Sequence, residues 1–327
     1  MGIARKAAGL TASVALLLGL SAPVQAGAAP GEFDLQAHRG GRGETTEESL
    51  RAFAKAIELG VTTLELDIVI SRDGRPMVWH DPVIQADKCT DTAPAFPGDP
   101  QFPYVGRLVH ELTFDQLRTL DCGKLLATYP DAEVVANNTI AELPEVFALA
   151  DPYQAPVRYN IETKIEAAEP EKSAPPEQFV DAILTAVRAA GKTDKVEVQS
   201  FDWRTLPMVR AAEPSIPLVA LWDDTTFVPG SPWLNGIDPA TVRDPIAAAA
   251  MVGADVLSPE YSLVDAAFVD RAHSAGRRVI PWTVNDAGAM RAQIAAGVDG
   301  LITDYPTRLR EVMSELGMAL PPGYHRN

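Results

Sequence analysis

Positive charge is scarce in this chain of 327 residues. Only 28 Lys and Arg stand against 44 Asp and Glu, and five histidines leave the formal net charge at −16. A surface of that sign repels polyanions, which argues against nucleic acid or an anionic bilayer as a nonspecific partner. An anionic substrate would need local cations, or a metal ion, to be held at all. Cysteine is scarcer still, with two in the chain, so a CxxC or mixed Cys/His metal centre is excluded. Low-complexity tracts and repeats of 20–50 residues are missing, and with them the solenoid classes. No GxGxxG turn follows the first strand pattern, which removes the main signature of a dinucleotide-binding open sheet. The longest apolar run, Ala7 to Leu20, is too short for a permanent membrane span.

That run has the layout of an export signal. Arg5 and Lys6 precede it, and Val24-Gln25-Ala26 places small residues where a signal peptidase reads them. Residues 1–26 are expected to be cleaved, leaving 27–327 as the mature domain, secreted or in the cell envelope, with no stable membrane anchor. A retained anchor is the competing reading; no cysteine follows the run to carry a lipid. Cleavage removes two cations and no anion, so the net charge moves from −16 to −18. Export makes a Cys89–Cys122 disulfide the expected fate of the two thiols. Closing that loop is worth roughly 3–4 kcal/mol in the chain-entropy picture.

From residue 34 onward, short β-rich runs alternate with helical patterns. Strands are expected at 34–39, 62–70, 156–164, 195–201, 216–222, 254–259, 277–284 and 300–304. Helices fit 47–60, 113–120, 142–150, 176–190, 203–212, 243–252, 263–275, 286–296 and 306–317. Eight strand–helix alternations predict an α/β fold, a (β/α)8 TIM barrel closed from a parallel sheet. Residues 81–112 break the rhythm with Pro, Asp and Gly and no sustained period. They are expected to be an irregular, substrate-facing insertion after the second strand, stapled by the disulfide.

The charged residues inside the strand runs carry the chemistry. In LELDIVI, Leu64, Leu66, Ile68 and Ile70 share one face, and Glu65 and Asp67 share the other. Strands of a helix-covered barrel have no solvated face, so mid-strand carboxylates are expected at the C-terminal mouth, where such barrels build active sites. NIETK repeats the pattern with Asn160, Glu162 and Lys164. His38-Arg39 ends the first strand, a tight Asp73-Gly74 turn leads to His80, and Gln199, Trp282 and Asp304 close later strands. Carboxylates converging on one point repel unless protonated, paired or neutralised by a cation. All-oxygen ligation favours Ca²⁺ or Mg²⁺ over zinc. Arg39 and Lys164 complete a phosphate site, and His38 and His80 form an acid–base pair suited to a phosphoester.

The stretch AHRGGRGETTEESLRAFAKAIELGVTTLELDIVISRDGRPMVWHD resembles the signature of the glycerophosphodiester phosphodiesterase family, and NIETK, VQSFDW, PWTVND and GLITDYP follow in the family's order. The resemblance implies a barrel hydrolase that cleaves small-molecule glycerophosphodiesters to glycerol 3-phosphate and an alcohol, using one divalent cation, Ca²⁺ or Mg²⁺. By position it implies Glu65, Asp67 and Glu162 as metal ligands and His38 and His80 as the catalytic acid and base. Arg39 and Lys164 would bind phosphate, with Glu47, Gln199 and Trp282 in the substrate pocket. The family's proposed chemistry allows the neighbouring glycerol hydroxyl to attack phosphorus. One position departs: the family's Pro-Glu-Asn-Thr reads Thr46-Glu47-Glu48-Ser49, placing a carboxylate where the amide stands. Glu48 would either perturb the cation or sit harmlessly in a first helical turn, where the dipole favours it.

Structural readings compete for several of these residues. Glu162 and Lys164 are alternatively an internal salt bridge, and Asp304 is expected to cap the last turn rather than act on substrate. His110, His273 and His325 carry no motif and are expected to be surface or ordinary structural residues. Two other functions share the pattern: a phospholipase D-like or sphingomyelinase D-like enzyme, and a non-catalytic barrel that holds a phosphoryl ligand.

Overall fold

In the computed structural model, which describes residues 1, 2 and 32–326, all eight expected strands form. The expected export signal lies outside the described residues. The barrel strands are β1 (Asp34–Ala37), β2 (Thr63–Ile70), β3 (Arg158–Thr163), β4 (Val196–Ser200), β5 (Leu218–Trp222), β6 (Val256–Pro259), β7 (Arg278–Val279) and β8 (Gly300–Thr303). Parallel ladders join them in the order β7-β6-β5-β4-β3-β2-β1-β8. Three backbone bonds close the remaining seam: Asp299 to Val279 at 2.8 Å, Ile302 to Pro281 at 3.1 Å and Val284 to Ile302 at 3.0 Å. The seventh strand was expected to run to 284, but Pro281 has no N–H to donate and the regular ladder stops at Val279.

Eight helices alternate with these strands: α1 (Leu50–Leu59), α2 (Leu143–Ala150), α3 (Pro176–Ala189), α4 (Thr205–Ala212), α5 (Pro245–Met251), α6 (Ala266–Ser274), α7 (Ala287–Ala296) and α8 (Pro306–Glu315). Side-chain caps set several of their starts. Ser49 accepts from Ala52 N before α1, and Asp265 accepts from Phe268 N before α6. Leu64, Leu66 and Ile68 of β2 are fully buried in the core between strands and helices, with Phe53 and Ile57 of α1 in the same cluster.

The barrel interior is divided by polarity. Val219, Val256, Ile280 and Ile302 fill the half lined by β5 to β8. The half lined by β1 to β4 is polar, and its amides are tied to one another and to carboxylates, with Asn160 Oδ1 left unpartnered. Gln36 donates to Glu197 (3.0 Å), Asn160 to Gln36 (2.9 Å) and to Gln199 (3.0 Å), and Gln199 to Glu65 (2.6 Å). Asp34 closes the floor between Arg158 at 3.0 Å and Arg278 at 3.3 Å, and takes the Thr62 and Thr63 hydroxyls at 2.8 and 2.7 Å. A string of hydrogen bonds therefore runs from floor to mouth and fixes the rotamer of Glu65.

Between β2 and α2 the chain is long, and it is organised where the sequence showed no period. Pro76–Val78 pairs antiparallel with the end of β2, around a turn where Gly74 takes φ +79°. Thr90–Asp91 pairs with Leu120–Asp121, and the Cys89–Cys122 disulfide joins the neighbouring positions. The helix expected at 113–120 is a single turn, Phe114–Leu117, that belongs to this segment rather than to the barrel ring. Trp79, Tyr104, Leu112 and Leu117 make a separate small core. Its strands are only two or three residues long, so no periodic pattern could announce them.

The floor makes a prediction. Burial would raise Asp34, but Arg158 and Arg278 hold it down to about 2. Its contribution to stability is complete above the ordinary carboxylate value of 3.8 and is lost as pH falls through about 2. Asp34→Asn leaves two part-buried guanidiniums facing a neutral group and should cost about 2 kcal/mol in urea unfolding at neutral pH. The deficit should shrink between pH 4 and pH 2; a constant deficit would contradict the ion-pair account.

Candidate active site

Three carboxylates meet where β2 and β3 open into the mouth. The register places Asp67 beside Glu162, with Glu65 one pleat below. Oxygens from Glu65, Asp67 and Glu162 lie within 4.8 Å of one another, and all three residues are buried. Burial, then the charges of Asp67 and Glu162, pushes Glu65 well above the usual carboxylate range. Burial also raises Glu162, to about 7, although Lys164 opposes it. Asp67 goes the other way: burial would raise it, but Arg39 above all, then His80 and Lys164, hold it below the usual range. Neither oxygen of Asp67 accepts a hydrogen bond, although Arg39 Nε lies 2.9 Å from Oδ2 as an ion pair. Asp67 oxygens that accept no hydrogen bond, beside two further carboxylates at this spacing, fit a hard divalent cation.

Backbone geometry brings the first strand's end to the same point. After β1, Arg39, Gly40 and Gly41 all take positive φ (51°, 78° and 93°). At Gly40 a Cβ would come within 2.8 Å of the Ala52 Cβ, so the turn needs glycine there. The turn aims Arg39 N at Glu65 Oε2, 2.8 Å away. It also presents His38 to a cavity of about 260 Å³ lined by Arg39, His80, Glu162, Lys164 and Trp282 among others. His38 Nε2 lies 4.0 Å from Glu65, and Nδ1 lies 2.5 Å from Asp304 Oδ1. His80 Nδ1 lies 3.0 Å from Asp81. Burial lowers both histidines, His80 the more strongly because Lys164 and Arg39 also face it.

The remaining sequence-predicted residues divide by what they touch. Lys164 reaches Glu162 at 2.7 Å and lines the cavity, so the salt-bridge reading and the pocket reading both hold. Glu47 lies among cations instead of lining that cavity: Lys88 at 2.5 Å, Arg42 at 2.7 Å and Arg39 at 3.4 Å. Gln199 is a cavity wall tied to Glu65, and Trp282 is a wall whose indole donates to Ser258 O at 2.8 Å and whose ring meets Phe201 edge-on at 5.3 Å. His273 and His325 are exposed, and His110 is partly exposed.

Two expectations fail. Asp304 does not cap α8, which Tyr305 precedes; its side chain faces His38. Glu48 is not in the first turn of α1, because Ser49 is the cap and Leu50 opens the helix. Glu48 takes φ +55° and is buried, its Oε1 accepting from Asp67 N at 3.0 Å and its Oε2 finding no donor. Burial and the nearby Asp67 raise it well above the usual range. Arg42, Lys88, Tyr129 and Asn285 were not singled out at all. The two cations lie outside the strand pattern, and Tyr129 falls between the expected helices 113–120 and 142–150, beyond any pattern or motif.

The comparisons with known proteins agree on one family. Residues 38–308 match the glycerophosphoryl diester phosphodiesterase family. The chain belongs to it. A glycerophosphodiester phosphodiesterase of Caldanaerobacter subterraneus subsp. tengcongensis is 25% identical over 281 residues, covering 86% of this chain and 98% of that one. One from Bacillus subtilis is 25% identical over 309 residues, covering 92% and 94%. Among solved structures, a candidate glycerophosphoryl diester phosphodiesterase from Silicibacter pomeroyi superposes with a TM-score of 0.77 at 27% identity, covering 89% of this chain and 96% of that one. An Oleispira antarctica phosphodiesterase, solved in complex with the product sn-glycerol-3-phosphate, shares the fold at a TM-score of 0.66 and 20% identity, covering 86% and 96%. The family match begins at His38 and takes in every residue named at the mouth.

The cations around Glu47 give a direct test. Glu47→Gln leaves Arg39, Arg42 and Lys88 without their shared anion and should destabilise the chain by about 3 kcal/mol in chemical denaturation. A change below about 0.5 kcal/mol would mean these cations are held by other groups.

Proposed function

We propose that the chain is an exported, divalent-metal-dependent glycerophosphodiester phosphodiesterase using His38 and His80 as its acid–base pair. The observation that carries the reading is the buried trio Glu65, Asp67 and Glu162, two of whose members, Glu65 and Glu162, line one cavity together with two histidines and the cations Arg39, Arg42 and Lys164. The trio would hold the cation, Ca²⁺ or Mg²⁺, which when bound neutralises charge on the phosphoryl oxygens.

The chain's own groups supply the rest. Arg39 and Lys164 present N–H donors to a phosphodiester entering the cavity. One of His38 and His80 accepts the proton of the attacking hydroxyl, and the other gives a proton to the departing alcohol oxygen. The exchanged roles return both protons when water completes hydrolysis to glycerol 3-phosphate. Burial holds both imidazoles toward the neutral form, which suits the one that acts as base; the other acts as acid once it has taken up a proton, which the negative charge of a bound phosphodiester favours. Trp282 and Phe201 supply an apolar wall for carbon.

Export is supported by the 1–26 pattern and by the disulfide, which persists in oxidising compartments. Among the described residues, no helix is long and apolar enough to cross a membrane.

A hydrolysis assay on glycerophosphocholine and on intact phospholipid, with and without EDTA, tests the reading. Wild type should release glycerol 3-phosphate from the first substrate, lose that activity in EDTA, and lose at least about a hundredfold in kcat as His38→Ala. Release that survives EDTA would remove the metal. Turnover of the intact lipid alone would move the assignment to a phospholipase D-like or sphingomyelinase D-like activity.

A further inference from the structure

Asp304 lies too close to His38, and too deeply buried, to be only the end of a strand. Its residue is 3% exposed, and each carboxylate oxygen has separate partners. Oδ1 stands 2.5 Å from His38 Nδ1. Oδ2 accepts from Tyr129 Oη at 2.7 Å and from Asn285 Nδ2 at 2.7 Å. Asn285 also accepts from Asp304 N at 2.9 Å, so one amide brackets the residue. Gly43, five residues after His38, donates to Asp304 O at 2.9 Å and ties the histidine's own loop to the same point.

We propose that Asp304 is the positioning residue for His38, and that Tyr129, delivered across the mouth by the disulfide-joined segment, locks Asp304 in that role together with Asn285. The inference rests on the reading of His38 as a proton-transfer group. An ionised carboxylate only accepts, so the ring proton of neutral His38 sits on Nδ1, and Nε2 keeps its lone pair toward the cavity. The usual freedom of a carboxylate to swing away is removed, because Oδ2 is occupied by two donors. Burial would raise Asp304, but His38, and after it the Tyr129 hydroxyl, hold it below the usual carboxylate range, which keeps it ionised.

Tyr129 is itself held. The Arg42 guanidinium lies 4.9 Å from its ring centroid and Tyr305 meets it edge-on at 6.2 Å. Its loop is closed at the base by Cys122 N donating to Asn138 O at 2.7 Å, and Cys122 carries the disulfide to Cys89. The long segment after β2 thereby acquires a function at the site, and the staple holds the loop that carries the lock.

The test separates positioning from plain structure by reading the tautomer. Long-range ¹H–¹⁵N spectra of the full chain, with His38→Gln to assign the ring, should show His38 protonated on Nδ1. Asp304→Asn, which can turn its amide N–H to Nδ1, should move that proton to Nε2 and lower kcat tenfold to a hundredfold on glycerophosphocholine, with KM within about twofold. Tyr129→Phe keeps the stacked ring and loses only the hydroxyl; kcat should fall about fivefold with the unfolding midpoint unchanged. A wild-type proton on Nε2 would overturn the proposal, as would wild-type kcat in Tyr129→Phe or a loss confined to KM. Should Asp304→Asn fail to fold, the wild-type tautomer and Tyr129→Phe decide. A wild type inactive on glycerophosphocholine but protonated on Nδ1 would overturn the functional reading and leave the positioning in place.

Discussion

Three buried carboxylates packed at the mouth of a barrel cannot all be charged without a counter-ion, and most of the site follows from that repulsion. Coulomb energy between unit charges a few ångströms apart is several kcal/mol at the effective dielectric of a partly buried site. The protein meets it in layers. Arg39 stands against Asp67, and Lys164 against Glu162. The protons of Glu65 and Glu162 are displaced upward while Asp67 stays ionised. What these responses leave over is a pair of Asp67 oxygens with no hydrogen-bond donor, which a hard cation would satisfy.

The same constraint explains why the barrel interior is polar on one side only. Glu65 needs a fixed rotamer to face the mouth, and Gln199 holds it from the neighbouring wall. Gln199 is held by Asn160, Asn160 by Gln36, and Gln36 meets Glu197 above the Asp34 floor. Each amide NH2 of this string has an acceptor, and among its three amides only Asn160 Oδ1 goes without a donor. Between β5 and β8, aliphatic packing by Val219, Val256, Ile280 and Ile302 fills the space. Precision at the mouth is therefore supported by groups far below it.

Strand periodicity made most of this legible. Alternation in LELDIVI and NIETK separated outward aliphatics from inward carboxylates, because a helix-covered strand leaves a charge only one destination. His38, Arg39, His80 and Lys164 sit at strand ends or just past them, and the fold carries all four into the cavity. Periodicity failed where the structure is made by turns. Glu48 looked like a helical residue, yet one left-handed backbone angle before the cap drives its side chain toward Asp67. Asp304 looked like a cap because the neighbouring Pro306 opens a helix. Its contact with His38 spans 266 positions, and no local pattern encodes it. Tyr129 was invisible for the same reason, lying in a segment whose order comes from a small separate core and a disulfide.

The claim underlying the whole account is that Glu65, Asp67 and Glu162 hold one divalent cation. Isothermal titration of Ca²⁺ and of Mg²⁺ into chelator-stripped protein tests it without reference to activity. The account predicts a single site for at least one of the two ions, lost in Asp67→Asn while the variant keeps its fold. Absence of binding by both ions, or undiminished binding in Asp67→Asn, would contradict it.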